Sequence, residues 1–174
     1  MALAFDGSPG VRTPRILDIP RRYRVHATFF TLGRHHAATY PAMVVRAAAE
    51  GHEVETLTWS HRVLTVISRA EAHEEITRGR EAVARVIGRR PVLLRPPEGR
   101  TSAAVTAICR RPGMAQVLWS ATASDYGPPT PRPSPAGSWP GQAPAGSSCC
   151  TTGWTPPTAA TTVRSPRCPA SSPA

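Results

Sequence analysis

The sequence contains no lysine: all 21 of its basic residues are arginines, and with 11 acidic residues they give a formal net charge of +10. A strongly basic chain suggests nucleic acid as a partner, because clustered cations neutralise phosphates and release counterions. The pattern argues against it here. The arginines alternate with glutamates in the helical stretches, and no aromatic residues alternate with them as a base-stacking platform requires. We therefore expect no nucleic-acid partner, and codon bias explains the charge.

Long apolar runs and patterned cysteines are also missing. No run approaches the ~20 apolar residues of a membrane span, and the N-terminus lacks the basic and apolar blocks of a signal peptide. The four cysteines, Cys109, Cys149, Cys150 and Cys168, match no zinc spacing. The adjacent residues Cys149 and Cys150 are poorly placed to bind one metal ion together. The sequence predicts no membrane span, no disulfide framework and no export signal, so the chain taken as written would be cytoplasmic.

Acidic residues are absent after Asp125, and 12 of the 20 prolines follow Tyr126. Residues 127–174 are mostly Pro, Ala, Gly, Ser and Thr, without helical or strand periodicity. Such a segment cannot bury enough apolar surface to offset the entropy of ordering. We therefore expect a folded domain over 1–126 and a disordered tail over 127–174.

Strand-like and helical patterns alternate between residues 1 and 126. Strands are predicted in MALAF, VHATFFTLG, HEVETLTW, PVLLRPP and MAQVLWSA, and helices in TPRILDIPRRY, YPAMVVRAAAEG, SRAEAHEEITRGREAVARVIGRR and TSAAVTAICRRPG. Thr13 is the predicted cap of the first helix, which Pro20 should kink or end. Ser68 and Glu71 form a predicted capping box. The alternation predicts an α/β fold with a parallel sheet or barrel, whose functional residues follow the strands.

Four of the predicted strands end in residues that carry chemistry. In chain order they are Asp6 after "AF", His61 in "TWSH", Arg95 in "RPPEG" and Asp125 in "LWSATASDY". Four motifs in this order on a βα pattern resemble the polysaccharide deacetylase family, the NodB-like metal-dependent carbohydrate esterases. The resemblance covers about residues 2–126.

The resemblance implies a fold, a reaction and a location. The fold is a deformed (β/α) barrel, truncated here after about five strands. The reaction is hydrolysis of acetyl groups, mainly N-acetyl, on a glycan such as peptidoglycan or a chitin-type oligosaccharide. In the family a divalent metal, usually zinc, held by an aspartate and two histidines activates water, while a carboxylate acts as base and a histidine as acid. The family usually works at the cell envelope or outside the cell.

The family's roles carry over to four positions of this chain. Asp6 would be the base and Arg95 the arginine that holds it ionised. His61 would be a metal ligand, and Asp125 would orient the acid histidine. The pair of Arg95 and Asp125 is also compatible with an ordinary ion network at the strand ends.

Departures from the family pattern put activity in doubt. Gly7 replaces the metal-binding aspartate, Leu57 replaces the first metal histidine, and Glu98 stands where tyrosine is usual. The late acid histidine is absent, since every histidine precedes residue 74. Catalytic zinc needs about three protein ligands, so we expect negligible zinc affinity and an inactive chain. The alternative is a non-catalytic glycan-binding remnant.

The remaining polar residues receive plainer interpretations. His52 is predicted to be a turn residue that opens a strand rather than a replacement ligand. His35 and His36 are predicted to lie on the surface at a helix start, and Arg89 and Arg90 to be ordinary solvated surface.

The missing motif can be encoded in a second reading frame of the tail. Residues 149–153 read CCTTG, which a GC-rich gene can encode as TGC TGC ACG ACG GGG. From its third base the same DNA reads CTG CAC GAC GGG, or Leu-His-Asp-Gly, the family's late motif. We therefore hypothesise that the reading frame slipped after Tyr126 and that the tail replaced the closing strands of the barrel.

Overall fold

The structure of the protein is a computed structural model that describes residues 2–10 and 12–120. Its five strands form one parallel sheet in chain order. The strands are β1 Leu3–Asp6, β2 Ala27–Thr31, β3 Glu53–Thr56, β4 Leu93–Leu94 and β5 Ala115–Gln116. The helices between them are α1 Thr13–Tyr23, α2 Pro41–Ala49, α3 Arg69–Ile87 and α4 Ala103–Arg110. The predicted α/β fold with a parallel sheet is confirmed.

Three of the helices end in the same kind of turn. At the end of α1, the N–H of Arg24 donates to the carbonyl of Arg21 at 3.3 Å and that of Val25 to the carbonyl of Pro20 at 3.0 Å. This pair of bonds is the Schellman motif, which needs a left-handed residue. Arg24 (φ 53°) supplies it in α1, and Gly51 and Gly113 supply it after α2 and α4. Each turn reverses the chain directly into the next strand.

The ends of α1 differ from the prediction. The helix does not end at Pro20 but continues to Tyr23, and the Pro20 carbonyl serves the closing turn. Arg12 occupies the cap position, whereas Thr13 is the first helical residue and its Oγ1 accepts from the Gly10 N–H at 2.7 Å. The capping box of α3 is confirmed, with both Ser68 and Glu71 bonds present.

Apolar residues cover both faces of the sheet. Neighbouring strand residues point to opposite faces, and accordingly Phe29 packs with Leu17 and Val83 beneath the helices. Phe30 lies in a different cluster with Leu32, Leu57 and Val117. A further cluster lies between α3, α4 and β4. The sheet is thus anchored by the helices on one face and carries a small apolar cluster on the other.

Some predictions fall outside the part of the chain that the structure describes. The domain boundary at 126, the tail 127–174 and the CCTTG stretch are not covered by residues 2–10 and 12–120. Among the described residues, no helix is both long and apolar enough to cross a membrane.

Candidate functional site

Asp6 and Arg95 meet at the carboxyl edge of the sheet. Asp6 is the last residue of β1 and Arg95 directly follows β4. The Arg95 Nη1–H donates to Asp6 Oδ1 at 2.6 Å. The Arg95 side chain is 5% exposed and that of Asp6 40%, so a buried cation holds a carboxylate that solvent reaches. The structure therefore brings together the predicted base and its predicted partner.

Arg95 is held by more than its ion pair. Its guanidinium carbon lies 4.0 Å from the centre of the Phe30 ring and 5.8 Å from that of Trp119. Its Nε–H donates to the Val117 carbonyl at 3.4 Å. Stacking on aromatic faces suits the planar guanidinium, and these contacts limit its freedom. The orientation of Asp6 is thus set by a partner that is itself packed.

The loop that follows β3 carries His61 in an unusual backbone conformation. Thr58 and His61 have φ values of 81° and 69°, a left-handed region that is uncommon for residues other than glycine. Such conformations persist when the surroundings impose them. The carbonyls of Thr58 and Trp59 accept from the N–H groups of Gly33 at 3.0 Å and Arg34 at 2.9 Å. The loop is therefore tied to the turn after β2.

A buried glutamate on α3 fixes the same loop from the other side. Glu75, 7% exposed, accepts from the Ser60 N–H at 2.9 Å and from the Ser60 hydroxyl at 2.6 Å. Arg78 lies 4.4 Å above the Trp59 ring. Glu75 was not among the residues predicted from the sequence, although its place three residues after Ala72 puts it on the buried stripe of α3. These contacts hold the "TWSH" loop against α3.

His36 lies at the same edge, in the π-helical turn Gly33–Ala37 that follows β2. It is half-buried, and its Nδ1 accepts from the Leu32 N–H at 3.3 Å. Its Cε1 lies 3.7 Å from the position that a Cβ on Gly7 would take. Burial lowers the pKa of His36, and the charges of His35 and His61 lower it further. The prediction that His36 is a surface residue is therefore wrong.

The sequence profile described as polysaccharide deacetylase matches residues 1–117. The chain belongs to the polysaccharide deacetylase family. It is 41% identical over 100 residues to peptidoglycan-N-acetylmuramic acid deacetylase PdaC of Bacillus subtilis, a match that covers 57% of this chain and 21% of that protein. It is 35% identical over 129 residues to a chitooligosaccharide deacetylase of Bradyrhizobium, covering 73% of this chain and 58% of that one.

The fold of the chain is similar to that of a solved peptidoglycan deacetylase. The structure of peptidoglycan deacetylase PdaC from Bacillus subtilis superposes with a TM-score of 0.67 at 36% identity, covering 72% of this chain and 60% of that one. The NodB-type fold predicted for the chain is thereby confirmed. The chain spans about a fifth to three fifths of the length of these two curated relatives.

The residues at the family's metal position do not fit a divalent metal. Gly7 offers no side-chain donor, and Leu57 is 2% exposed in an apolar cluster. His36 is no substitute, because its Nδ1 accepts the Leu32 N–H and its Nε2 therefore carries the proton in the neutral ring. His61 is exposed. Over residues 2–10 and 12–120, no group of three or more His, Cys, Asp or Glu side chains is placed to hold a metal ion.

The structure describes Glu98 but not Asp125. Glu98 adopts a left-handed conformation (φ 57°), and its carboxylate faces Arg100 Nε at 3.4 Å. Asp125 lies outside the described residues, so its predicted role of orienting an acid stays a prediction. In the described part of the chain, the site consists of the Asp6 carboxylate on the buried Arg95 and the nearby loop that carries His61. It contains no group of side chains placed to hold a metal ion.

Proposed function

We propose that the chain is a polysaccharide deacetylase homologue that recognises an acetylated glycan, such as peptidoglycan or a chitin-type oligosaccharide, and does not hydrolyse it. The observation that carries this proposal is the absence of donor atoms at Gly7 and Leu57, beside an intact pair of Asp6 and Arg95. A peptidoglycan ligand would place the protein at the cell envelope.

Recognition is supported by the surface beside the ion pair. Trp119 is 40% exposed and lies against the backbone of Gly99, where an added Cβ would come within 3.0 Å of the ring. An exposed aromatic face offers apolar area and an orienting surface to a sugar ring. The named relatives act on acetylated glycans, namely peptidoglycan and chitooligosaccharides.

The second candidate function is that of an active metal-dependent deacetylase, which membership of the family favours. The two functions are separated by acetate release from chitooligosaccharides and peptidoglycan with zinc present or chelated, together with calorimetric binding of the same glycans. We expect glycan binding without acetate release. Zinc-dependent release that disappears in Asp6→Ala would establish the enzyme instead, and absence of both binding and release would reject both functions.

Side chains that bind metal can be introduced at Gly7 and Leu57, where the chain lacks donor atoms. We expect the double variant Gly7→Asp, Leu57→His to bind zinc more tightly than the parent chain, because two donors join His61. The matched control is the single variant Leu57→His, which supplies one donor only. Stoichiometric zinc binding by the parent chain that is lost in His61→Ala would contradict the proposal.

We also propose that residues 127–174 are read in a shifted frame. The basis is the change of composition after Tyr126 and the alternative reading of residues 149–153. Resequencing the coding DNA in three frames tests this. An open second frame that encodes Leu-His-Asp-Gly supports the slip, and the restored protein should then be assayed. Frequent stop codons in that frame would show that the tail is genuine.

A further inference from the structure

The last turns of α1 and the chain reversal behind them form an exposed surface that is both basic and apolar. It consists of residues 19–25, "IPRRYRV", of which Pro20 alone is buried. Its three arginines stand between Ile19, Tyr23 and Val25, which are 60%, 67% and 45% exposed. Few large apolar side chains of the described residues are exposed, and three of them lie in this short segment. We call residues 19–25 the α1-end surface.

The backbone of the α1-end surface is fixed. The turn that closes α1 is held by two hydrogen bonds, to the carbonyls of Pro20 and Arg21. Ile19 and Tyr23 are four residues apart on the helix, so their side chains are neighbours on its surface. The guanidinium carbon of Arg22 lies 5.8 Å from the centre of the Tyr23 ring. The cations and the apolar side chains are therefore presented together on an ordered support.

The positive charge of the α1-end surface is only weakly opposed. The two carboxylates near it, those of Asp18 and Glu50, are bonded to Arg46 at 2.8 Å and 2.6 Å. The first arginine of the surface reaches Asp18 only at 4.0 Å. Arg22 and Arg24 form no ion pair with any of residues 2–10 and 12–120. The surface is therefore complementary to an anionic partner.

The exposed apolar side chains decide which anionic partner fits best. Headgroup phosphates of a bilayer attract arginines, tyrosine suits the level of the headgroups, and apolar side chains enter the acyl boundary. Nucleic acid offers phosphates but no apolar phase for Ile19 and Val25. A second copy of the chain would bring the same positive charge to the contact. An anionic lipid bilayer matches both kinds of side chain.

We propose that the α1-end surface binds an anionic lipid bilayer, with its arginines at the phosphates and Ile19, Tyr23 and Val25 in the interface. Because α1 leads into the start of β2, this surface lies at the opposite edge of the sheet from Asp6, which ends β1. A chain bound in this way keeps its strand-end site turned away from the lipid and open to a glycan. No residue of that site takes part, so lipid binding does not rest on the proposed function.

Co-sedimentation of the full chain with lipid vesicles tests this proposal. One set of vesicles contains equal parts of phosphatidylglycerol and phosphatidylcholine, and the other contains phosphatidylcholine alone. We expect binding to the anionic vesicles only, and we expect added salt to weaken it because salt screens exposed charges. Equal binding to both sets, or binding to neither, would overturn the proposal.

A double variant measures the contribution of the arginines. Arg22→Gln with Arg24→Gly removes two charges, and glycine suits the left-handed backbone at residue 24 (φ 53°). We expect the affinity for anionic vesicles to fall about 25-fold, a factor of about five for each arginine. The matched control is Arg69→Gln with Arg85→Gln, which removes two exposed arginines of α3. An equal fall in the control would show that net charge acts rather than this surface, against the proposal.

A second variant separates a bilayer from a soluble polyanion. Ile19→Gln leaves the charge unchanged, and we expect it to weaken binding to anionic vesicles roughly fivefold, because its apolar side chain no longer enters the interface. Val66→Gln changes an exposed apolar residue in a loop and should bind like the parent chain. Unchanged vesicle binding in Ile19→Gln would mean that phosphate attraction alone acts, as a nucleic acid also provides, and would refute binding to the bilayer interface.

Discussion

At the scale of single residues, the burial of His52 couples the stability of the fold to pH. Burial lowers the pKa of His52; the charge of Glu50 opposes this shift and that of His26 adds to it. The folded chain therefore binds a proton at His52 less readily than the unfolded chain, whose imidazole has a pKa of 6.5. By linkage, acid favours the unfolded state below pH 6.5.

This predicts a loss of stability on the acid side that depends on His52. The free energy of unfolding should fall as the pH drops below 6.5, and His52→Asn should flatten this fall, leaving the part that comes from His36. Denaturant unfolding at several pH values between 7 and 5 measures the slope. His73→Asn on α3 is the matched control, and an unchanged slope in His52→Asn would show that His52 does not titrate as described.

Asp6 and Arg95 were predictable from the sequence because each stands at a strand end. The register of the sheet then brings Asp6 and Arg95 together. The roles of other charged residues depend on distant partners that periodicity does not show. Arg89, predicted to be ordinary surface, donates to Glu55 at 3.0 Å, and Glu55 is fully buried on β3. Glu55 also accepts from two backbone N–H groups at the start of β4.

At the scale of elements, α3 and the "TWSH" loop form one unit. Gly79 on α3 faces the loop so closely that a Cβ there would lie 2.3 Å from the Thr58 carbonyl carbon. The same close approach recurs at Gly33, whose added Cβ would meet the Trp59 ring at 2.6 Å. The loop and the helix are therefore in backbone contact.

Gly79→Ala should reverse the usual effect of this substitution. In a helix interior, alanine is normally favoured over glycine by about 1 kcal/mol. Here the methyl group would displace the Thr58 backbone, so we expect a net loss of stability of about 1–3 kcal/mol, typical of overpacking. Denaturant unfolding measures it. The control is Gly10→Ala, where a Cβ meets no atom of residues 2–10 and 12–120 within 4 Å; equal stability of the two variants would contradict the close packing.

Helices were easier to predict than strands at this scale. The capping box at Ser68 and the glycine that follows α3 give its limits locally. The strands β4 and β5 have two residues each, although longer apolar runs predicted longer strands. Pairing with a neighbour defines a strand, and in "PVLLRPP" Leu94 pairs with β3 and β5, whereas Leu93 pairs with β5 alone.

At the scale of the whole molecule, the sheet of the described residues has open edges. β1 pairs with β2 alone and β5 with β4 alone. Leu3 on the edge strand is 42% exposed. An exposed, apolar edge strand is a template for pairing with another chain.

We therefore expect the chain to associate with itself as its concentration rises. Leu3→Lys should reduce this association, because a charged side chain on an edge strand opposes pairing. Light scattering over a concentration series checks it. Val66→Lys changes a residue that is 70% exposed in a loop and is the control; an equal reduction in both variants would point to net charge rather than to the edge of β1.

The left-handed residues Thr58 and His61 have a consequence for engineering. The loop that contains them is held by contacts from Gly33, Arg34, Glu75 and Gly79 to Thr58, Trp59 and Ser60. The main chain of the loop is thus held by contacts from the protein itself. A protein engineer who wishes to install a new cofactor here can leave the main chain alone and redesign side chains only.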